Sequence, residues 1–443
     1  MTPATSATLD LTRHWVGYAS IATFVLAYAV VLVEEFTHLR KSKPVMLAAG
    51  IIWALIAWIY AQHGMNHAVE EAVRQSVVEY AELMLFLLAA MTFVNAMTER
   101  NVFVALRAWL IRRNYGYRKL FWVTGVLAFT LSPVIDNLTT ALVLAAVVLA
   151  LGGSNKQFIG LACINIVVAA NAGGAFSPFG DITTLMVWQK GHLAFTEFFA
   201  LFVPSLVNFL VPAVLMHFAV PNAMPQGGRE PVPMKRGAKR IIALFVVMLM
   251  LAVSFHNFLH LPPFLGMMTG LALLKFFGYF LKRSEPSRAL TEAGDVPGFD
   301  IFDNVARAEW DTLLFFFGVI FCVGGLGFIG YLAHASQLIY IGWGATQANI
   351  AIGVASAIVD NIPIMVAVLQ MAPDMVEGQW LLVTLTAGVG GSLLSIGSAA
   401  GVALMGQSKG NYTFFGHLRW TPAIALGYGA SIATHMWLNA STF

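Results

Sequence analysis

The sequence predicts an all-α polytopic membrane protein with two inverted-topology repeats, each containing a re-entrant helical hairpin and a broken transmembrane helix. The chain of 443 residues is 58% hydrophobic and only 11% charged, with a mean hydropathy of +0.76, which is well above the range of soluble domains. Its apolar runs are roughly 20 residues long, the length of helix that crosses a bilayer. A polar motif inside these runs also occurs twice. These three observations define the predicted fold class.

Composition also excludes several kinds of function. The net charge is only +3, and Lys and Arg are spread between the apolar runs, so no basic surface for nucleic acid is expected. Cys163 and Cys322 lie in separate apolar runs, a spacing that indicates neither a disulfide framework nor a zinc site. We therefore expect a lipid bilayer as the surroundings, no cofactor and no enzymatic activity.

The apolar runs divide into single crossings and two longer stretches. The stretches 120–153 and 343–372 are too long for one crossing and carry polar residues in the middle, so we interpret them as re-entrant hairpins. Single crossings are predicted at 15–36, 44–62, 76–97, 158–188, 197–220, 240–256, 262–281, 312–331, 379–407 and 413–439.

These segments predict five regions along the chain. They are N-terminal spans (1–75), a first repeat (76–220, with hairpin 120–153 and broken helix 158–188), a cytoplasmic linker (221–239), linking spans with a cytoplasmic loop (240–311), and a second repeat (312–443, with hairpin 343–372 and broken helix 379–407).

The distribution of positive charge predicts the orientation. When the N-terminus is periplasmic and each hairpin returns to its own side, 21 of the 25 Lys and Arg residues fall on the cytoplasmic side, as the positive-inside rule requires. If either hairpin crossed once, the basic linker or Lys409 and Arg419 would be placed outside. The sequence therefore predicts a multi-pass protein of the bacterial inner membrane with a periplasmic N-terminus.

An internal repeat supports the two-half architecture. Residues 132–139 and 356–363 both read Ser-x-x-x-Asp-Asn, and glycine pairs at 173–174 and 390–391 are each followed by a Gly-polar pair at 180–181 and 397–398. Upstream of each copy an acid, Glu82 or Asp311, opens a span. The predicted topology runs the matching spans in opposite directions. Inverted repeats with interrupted helices are typical of secondary transporters, whose substrate sites lie near the midplane.

The interruptions place polar groups inside the membrane. Asp136, Asp181 and Asp360 would each cost roughly 2.5 to 3.5 kcal/mol if ionised and unpaired there. These segments contain no Lys or Arg, so we expect the partner of the carboxylates to be a proton or a bound cation. Carboxylate, amide, hydroxyl and backbone oxygens are hard ligands that suit a small hard cation such as sodium or lithium.

The candidate cation and proton site draws on both repeats. The hairpin tips supply Asp136, Asn137, Ser132 and Thr139, and Asp360, Asn361 and Ser356; the broken helices supply Asn171, Ser177, Asp181, Thr183, Ser395 and Ser398; Glu82 and Asp311 are candidate proton relays. The serines and Asn171 have an alternative role as interhelical hydrogen-bonding residues. Glu82 and Asp311 have one as acids that interact with the positive end of a helix.

A mechanism follows from this composition as a hypothesis. Burial disfavours an ionised carboxyl group, so the empty site is expected to hold protons near neutral pH. A cation that binds would expel them. If the site then becomes accessible from the other side by rocking of one structural element against another, the inward flow of protons drives the cation out.

Three motifs resemble a known family. They are Ser-Pro-Val-Ile-Asp-Asn-Leu-Thr-Thr at 132–140, Gly-Gly-Ala-Phe-Ser-Pro-Phe-Gly-Asp-Ile-Thr-Thr at 173–184 and Val-Asp-Asn-Ile-Pro at 359–363. From about Glu79 onwards, the chain resembles the NhaD-type sodium/proton antiporters of the ion transporter superfamily. The resemblance implies exchange of sodium or lithium for protons, a role in sodium and pH homeostasis, and a homodimer held by a scaffold, for which the 197–281 block is the candidate.

Other functions compete with this interpretation. A sodium-coupled anion symporter of the same superfamily would need neutral or cationic tips; its relatives carry Ser-Asn-Thr there, whereas this chain has Asp-Asn. An intramembrane aspartyl protease could use two aspartates as a dyad, but it requires Gly-x-Gly-Asp where this chain reads Pro178-Phe179-Gly180-Asp181. A simple pore would carry a steady current without proton coupling.

Overall fold

A computed structural model describes residues 9–37, 39–113, 115–153, 155–224, 233–284 and 299–443. The regular secondary structure of these residues is helical, and no β-strand is present among them. Part of the predicted linker (225–232) and part of the predicted cytoplasmic loop (285–298) lie outside the described residues, as do Arg229 and Arg288 of the charge count.

Up to residue 224, the described residues form ten helices, numbered in chain order. They are α1 (Trp15–Leu32), α2 (Glu34–Thr37), α3 (Ser42–Gln62), α4 (Asn66–Glu99), α5 (Val102–Arg112), α6 (Tyr117–Ile135), α7 (Asn137–Gly152), α8 (Lys156–Gly174), α9 (Ile182–Gln189) and α10 (Phe202–His217), the last preceded by a 3-10 turn, Glu197–Leu201.

The described residues from 233 onwards form eleven helices. They are α11 (Ala238–Leu259), α12 (Pro263–Ser284), α13 (Ile301–Ala306), α14 (Trp310–Phe328), α15 (Tyr331–Ser336), α16 (Ala345–Ala355), α17 (Asn361–Met371), α18 (Glu377–Gly390), α19 (Ala399–Gln407), α20 (Phe414–Leu418) and α21 (Thr421–Leu438). A π-helical turn, Gln337–Ile341, continues α15.

Many of these helices are long and apolar enough to cross a membrane. By length and composition, nine described helices meet that requirement, and a tenth span results if the bent pair Tyr331–Ile341 and Ala345–Ala355 is counted as one. Such helices satisfy their backbone hydrogen bonds internally, which lipid demands. The chain is therefore a polytopic helical membrane protein, as the composition predicts.

Helices are interrupted at the positions that the repeat marks. The chain breaks at Asp136 between α6 and α7, and at 356–360 between α16 and α17. It breaks again at 175–181 between α8 and α9, and at 391–398 between α18 and α19. The packing is matched as well, because α6 packs against α8 as α16 does against α18, and α12 packs against α4 as α3 does against α14.

Two glycine contacts recur in the same places of the two copies. A Cβ on Gly173 would lie 2.4 Å from the Phe129 carbonyl oxygen, and a Cβ on Gly390 would lie 2.0 Å from that of Gly353. Only glycine permits such a close approach of helix backbones. The broken helix of each copy therefore packs directly on the first helix of its own hairpin segment. The inverted orientation of the copies and the re-entrant path of the hairpins stay predictions.

Several boundaries differ from the predicted spans. Helix α4 begins at Asn66, before the predicted start at 76, because residues 66–75 are polar but rich in helix-forming Ala, Glu, Arg and Gln. An ion pair from Arg74 to Glu70 supports this first part. A search for apolar runs does not detect this polar first part of α4. The helices α5 and α15, each placed directly before a hairpin segment, were also outside the predicted crossings.

Candidate cation site

Asp181 lies at the centre of the polar cluster formed by the interrupted helices. Its Oδ2 accepts hydrogen bonds from Asn137 Nδ2 at 2.7 Å and from Asn361 Nδ2 at 3.1 Å. Its Oδ1 accepts from Thr183, whose backbone N lies at 3.0 Å and whose Oγ1 lies at 3.1 Å. Asn137 and Asn361 are the paired asparagines of the two repeats, so both halves of the chain converge on one buried carboxyl group.

Asn171 extends this network towards the break between α18 and α19. Its Oδ1 accepts from Asn137 Nδ2 at 3.1 Å, and its Nδ2 donates to Ser392 Oγ at 3.2 Å and to Ser398 Oγ at 3.0 Å. Asn171 is fully buried near the C-terminal end of α8. The amide therefore links the breaks of both broken helices, which is more than pairwise interhelical packing requires.

Asp136 starts α7 in an unusual backbone conformation. Its φ is 79° and its ψ is 155°, a region that glycine occupies and other residues rarely do. Its Oδ1 accepts from the backbone N of Thr139 at 2.7 Å and so caps the helix. The next amide, that of Asn137, donates to the Gly180 carbonyl at 3.1 Å. The tip of the first hairpin segment is thus fixed against the break between α8 and α9.

Asp360 has a basic partner, and the expectation that none was within reach is wrong. Lys41 Nζ lies 3.5 Å from Asp360 Oδ2. Lys41 is the N-cap residue of α3, far from Asp360 in the sequence, so the absence of Lys and Arg from the interrupted segments did not exclude it. The other carboxylate oxygen, Oδ1, is buried without a hydrogen-bond partner. The carboxyl group of Asp360 is therefore only partly satisfied by protein groups.

The three aspartates do not form one compact cluster. Among the described residues, no group of three or more His, Cys, Asp or Glu side chains is placed to hold a single metal ion. A cation at this site would therefore meet one or two carboxylates together with amide, hydroxyl and backbone oxygens. Mixed oxygen sets of this kind suit hard cations that tolerate varied ligands.

The serines at the hairpin segments have mainly packing contacts. Ser132 Oγ donates to the Ala170 carbonyl at 2.6 Å, and Ser356 Oγ donates to those of Gly353 at 2.8 Å and Ala387 at 3.1 Å. The bonds to Ala170 and Ala387 join each hairpin segment to its own broken helix, in agreement with the interhelical role given above as the alternative.

The remaining serines of the candidate site lie at the breaks themselves. Ser177 Oγ donates to the Pro133 carbonyl at 2.8 Å, which holds the first hairpin segment against the break between α8 and α9. Ser398 caps α19, accepting from Gly401 N at 3.3 Å. Ser395 Oγ is buried with no hydrogen-bond partner. Ser395 is therefore the one of these three serines whose hydroxyl makes no hydrogen bond.

A cavity of about 110 Å³ opens beside this cluster, and we call it the site cavity. Its lining includes Asp136, Thr139, Asp181, Asn361 and Lys41. A water molecule takes about 30 Å³ in the liquid, so the cavity has room for a small cation with several waters. Several polar residues of the cluster therefore line a cavity that can hold a hydrated ion.

The two candidate proton relays lie in different places. Glu82 lines a second cavity of about 80 Å³, together with Glu79, Lys190 and Gln370, and we call it the distal cavity. Asp311 accepts a short hydrogen bond from Ser42 Oγ, next to Thr312, which lines the site cavity. The two acids occupy equivalent sequence positions but are not neighbours of the same cavity.

Sequence reasoning missed two residues of the cluster. Ser392 directly follows the glycine pair at 390–391, so the glycine break itself could have drawn attention to it. Lys41 was counted only as one positive charge of a cytoplasmic connection. Its signal was weak, because nothing local in the sequence connects the start of α3 with a motif in the second half of the chain.

Comparison with known proteins finds similarity to membrane transporters. The family model described as "CitMHS: Citrate transporter" matches residues 11–388. The chain is 58% identical to a protein of Alkalimonas amylolytica named "Na(+)/H(+) antiporter NhaD", over 99% of this chain and 94% of that one. It is 55% identical to a protein of the same name from Vibrio cholerae, over 98% and 94%. It is also 31% identical to "Sodium/proton antiporter 1" of Arabidopsis thaliana, over 98% and 75%.

Proposed function

Because the chain belongs to the NhaD family of sodium/proton antiporters, we propose that it exchanges cytoplasmic sodium or lithium for external protons. The transported ions are substrates, and the family is one of transporters and not of enzymes. Such exchange serves sodium and pH homeostasis in the bacterial inner membrane.

The observation that carries the proposal is the double connection of Asp181. Asn137 from the first repeat and Asn361 from the second both donate to its Oδ2. Asn171 links the same network to Ser392 and Ser398. Because Asn137 and Asn361 come from different halves of the chain, any relative movement of the halves would change the hydrogen bonds of the Asp181 carboxyl group. Binding of a cation or proton at Asp181 can therefore be coupled to a change of accessibility.

The two cavities support alternating access. Four helices, α4, α9, α14 and α17, line both of them. On α17, Asn361 and Ile362 line the site cavity. Val366, Leu369 and Gln370 of the same helix line the distal cavity. The cavities therefore lie at successive positions along the same helices. We infer that the site cavity opens to the cytoplasm, since Lys41 and Arg307 line it and both fall on the predicted cytoplasmic side, and that the distal cavity marks the periplasmic path.

The inverted repeat completes this mechanism. With a periplasmic N-terminus, the matching helices run in opposite directions, and the two interrupted pairs meet near the membrane midplane. The cation site then comprises Asp136, Asp181, Asp360 and the oxygens of the neighbouring amides and hydroxyls. Protons and cations compete for these groups, and rocking of one structural element against another exposes them alternately.

A homodimer is part of the proposal. The scaffold candidate, 197–281, contains α10, α11 and most of α12, and its exposed side chains include Phe218, Phe258 and Phe276. Such surfaces contact either lipid or a second copy. The mass of the purified protein in lipid nanodiscs distinguishes one copy from two.

The decisive experiment uses proteoliposomes with an imposed pH gradient. Sodium and lithium are expected to dissipate the gradient, and potassium serves as the comparator. Asp181→Asn is expected to reduce the sodium-dependent rate about tenfold or more, because it removes a charged ligand that both halves contact. Asp136→Asn and Asp360→Asn are expected to act in the same direction.

The matched control is Asp374→Asn, an exposed aspartate between α17 and α18, which is expected to transport at the wild-type rate. Sodium-dependent exchange at the wild-type rate in all three site variants would contradict the site assignment. Absence of any sodium- or lithium-dependent proton movement in the wild-type protein would contradict the function itself.

A second candidate is a sodium-coupled anion symporter, which the description of the matching family model favours. A carboxylate substrate would enter a site that already holds Asp136, Asp181 and Asp360, with repulsion between like charges. Citrate added to the proteoliposome assay separates the two functions: a symporter requires it, whereas the proposed antiporter does not respond to it.

A further inference from the structure

We propose that Lys41 is a built-in competing cation, whose ammonium group occupies the Asp360 carboxylate until the transported cation displaces it. The inference rests on the proposed sodium/proton exchange. It adds a positioning residue from α3, outside both repeat motifs, and it makes Asp360 the carboxylate that changes partners.

The contact between the two residues is weak and accessible. The 3.5 Å separation is long for a charged hydrogen bond. The side chains of Lys41 and Asp360 are 18% and 15% exposed, and Lys41 lines the site cavity. The ammonium group also lies 4.4 Å from the centre of the Phe315 ring. This cation–π contact gives it a second interaction partner besides Asp360. Lys41 can therefore leave Asp360 without losing all of its interactions.

Helix electrostatics do not explain this placement. Lys41 is the N-cap residue of α3, and its ammonium group approaches Asp360, the N-cap residue of α17. Cations are disfavoured at helix N-termini, where the helix dipole is positive. The Asp360 carboxylate is what compensates the ammonium group there. Without the contact to Asp360, the Lys41 ammonium group would therefore have no carboxylate to keep it at this helix N-terminus.

The sequence of α17 explains why the Asp360 carboxylate does not cap its own helix and can contact Lys41 instead. Four helices begin at the interruptions, and the N-cap residues of three of them, Asp136, Asp181 and Ser398, cap their helix through the side chain. Asp360 makes no side-chain cap. The Asp136 cap uses the amide of Thr139, at the third helical position. The equivalent residue of α17 is Pro363, which has no N–H.

The two repeats are therefore chemically unequal. The Asp136 carboxylate accepts a hydrogen bond from a backbone amide, whereas Pro363 offers no such amide to Asp360. The Asp360 carboxylate instead contacts the Lys41 ammonium group through Oδ2. Its Oδ1 is buried without a hydrogen-bond partner. A sodium ion that enters the site cavity would find Asp360 occupied by a charge of its own sign. Sodium binding then requires displacement of Lys41.

The surrounding charges are consistent with this role. Glu309 and Arg307 line the site cavity, Asp181 interacts electrostatically with Asp360, and Asp311 is held by Ser42. Asp136, Asp181, Asp360 and Glu309 together outnumber Lys41 and Arg307, so the region carries an excess of negative charge. Removal of Lys41 should therefore make the region more attractive to sodium.

The test measures sodium affinity and turnover separately, in proteoliposomes containing the full-length protein. Lys41→Met, which has similar length and no charge, is expected to lower the apparent KM for sodium by about threefold or more, the effect of removing a partly exposed competing ion pair. Turnover is expected to fall, because the sodium-free site then lacks its counter-charge. Lys41→Arg keeps the charge and is expected to restore a KM within about twofold of wild type.

Lys43→Met is the matched control, since Lys43 is exposed two residues further along α3, and its KM and turnover should equal those of wild type. A gain of sodium affinity is not an effect of poor folding. An unchanged or raised KM in Lys41→Met, with normal wild-type exchange, would overturn the inference and leave the proposed function intact. Failure of the wild-type protein to exchange sodium for protons would instead contradict both.

A second variant tests the inference without changing Lys41. Pro363→Thr restores the backbone N–H that Asp136 uses in the first repeat, so Asp360 gains a cap and loosens its contact with Lys41. The effect of Lys41→Met on the sodium KM should shrink in the Pro363→Thr background. The same fold-change in both backgrounds would show that the Lys41 effect does not pass through Asp360.

Discussion

Asp136 combines a strained backbone with a side chain of the proposed cation site. The conformation at φ 79° and ψ 155° costs a non-glycine residue on the order of 1 to 3 kcal/mol. Glycine would remove that cost, yet the sequence has an aspartate in a matched motif. The side chain caps α7 through Thr139 and lines the site cavity. The sequence therefore has an aspartate at position 136, although a glycine there would have a less strained backbone.

This conflict makes a prediction that separates folding from transport. Asp136→Gly is expected to melt at a higher temperature than Asp136→Ala, because glycine alone relieves the strained φ, by about 1 kcal/mol or more. Both variants lose the carboxylate, so both are expected to lose sodium-dependent proton exchange. Thermal unfolding in detergent and transport in proteoliposomes provide the two measurements. Equal melting temperatures would contradict the assignment of strain to this residue.

At the level of single elements, the broken helices depend on close backbone contacts. Gly390 of α18 approaches the Gly353 carbonyl of α16, and Gly173 of α8 approaches that of Phe129 of α6. A methyl group at either site would separate the hairpin segment from its broken helix. Asn361 begins α17 and Asp181 is the N-cap residue of α9, both beyond these contacts, so their hydrogen bond depends on the same packing.

Gly390→Ala is accordingly expected to destabilise the protein by about 1 to 3 kcal/mol and to reduce transport. The control is Gly406→Ala in α19, where a Cβ meets no atom within 4 Å and alanine favours a helix. Melting temperature and exchange rate are measured for both variants. Comparable stability of the two proteins would show that the backbones can separate without cost.

The broken elements were also where prediction from sequence succeeded best. The paired motifs predicted breaks beside Asp136, Asp181, Asp360 and Ser398, because Pro, Gly and Asp in an apolar run conflict with a continuous helix. Prediction failed for Lys41, whose contact with Asp360 spans most of the chain and leaves no local pattern. It also failed for the polar first part of α4, because the predicted spans followed hydropathy and not helix propensity.

At the scale of the whole molecule, two cavities follow one another along the same four helices. Thr312 lines the site cavity and Gln370 lines the distal cavity. The native Cys163 and Cys322 are both buried, so replacing them with alanine gives a background for labelling. If the cavities lead to opposite faces of the membrane, cysteines introduced at the two positions should differ in the side from which they react.

We expect Thr312→Cys to react with an impermeant thiol reagent in inside-out vesicles, and Gln370→Cys to react in right-side-out vesicles. The cytoplasmic assignment of the site cavity and the periplasmic N-terminus both predict this result. Reaction of the two cysteines from the same side of the membrane would contradict the alternating-access path. As controls, a cysteine at exposed Asp374, on the predicted periplasmic side, reports reagent access in right-side-out vesicles, and a cysteine at exposed Lys43, on the predicted cytoplasmic side, reports it in inside-out vesicles.

The crossed packing of the two halves affects how the protein can be assembled. Helix α3, from the beginning of the chain, packs against α14, and α12, from the second half, packs against α4. Neither half alone contains the helix that covers its own first repeat helix. A chain cut between residues 224 and 233 would thus yield two fragments that stay interlocked when co-expressed, whereas either fragment expressed alone would expose an uncovered helix and be degraded.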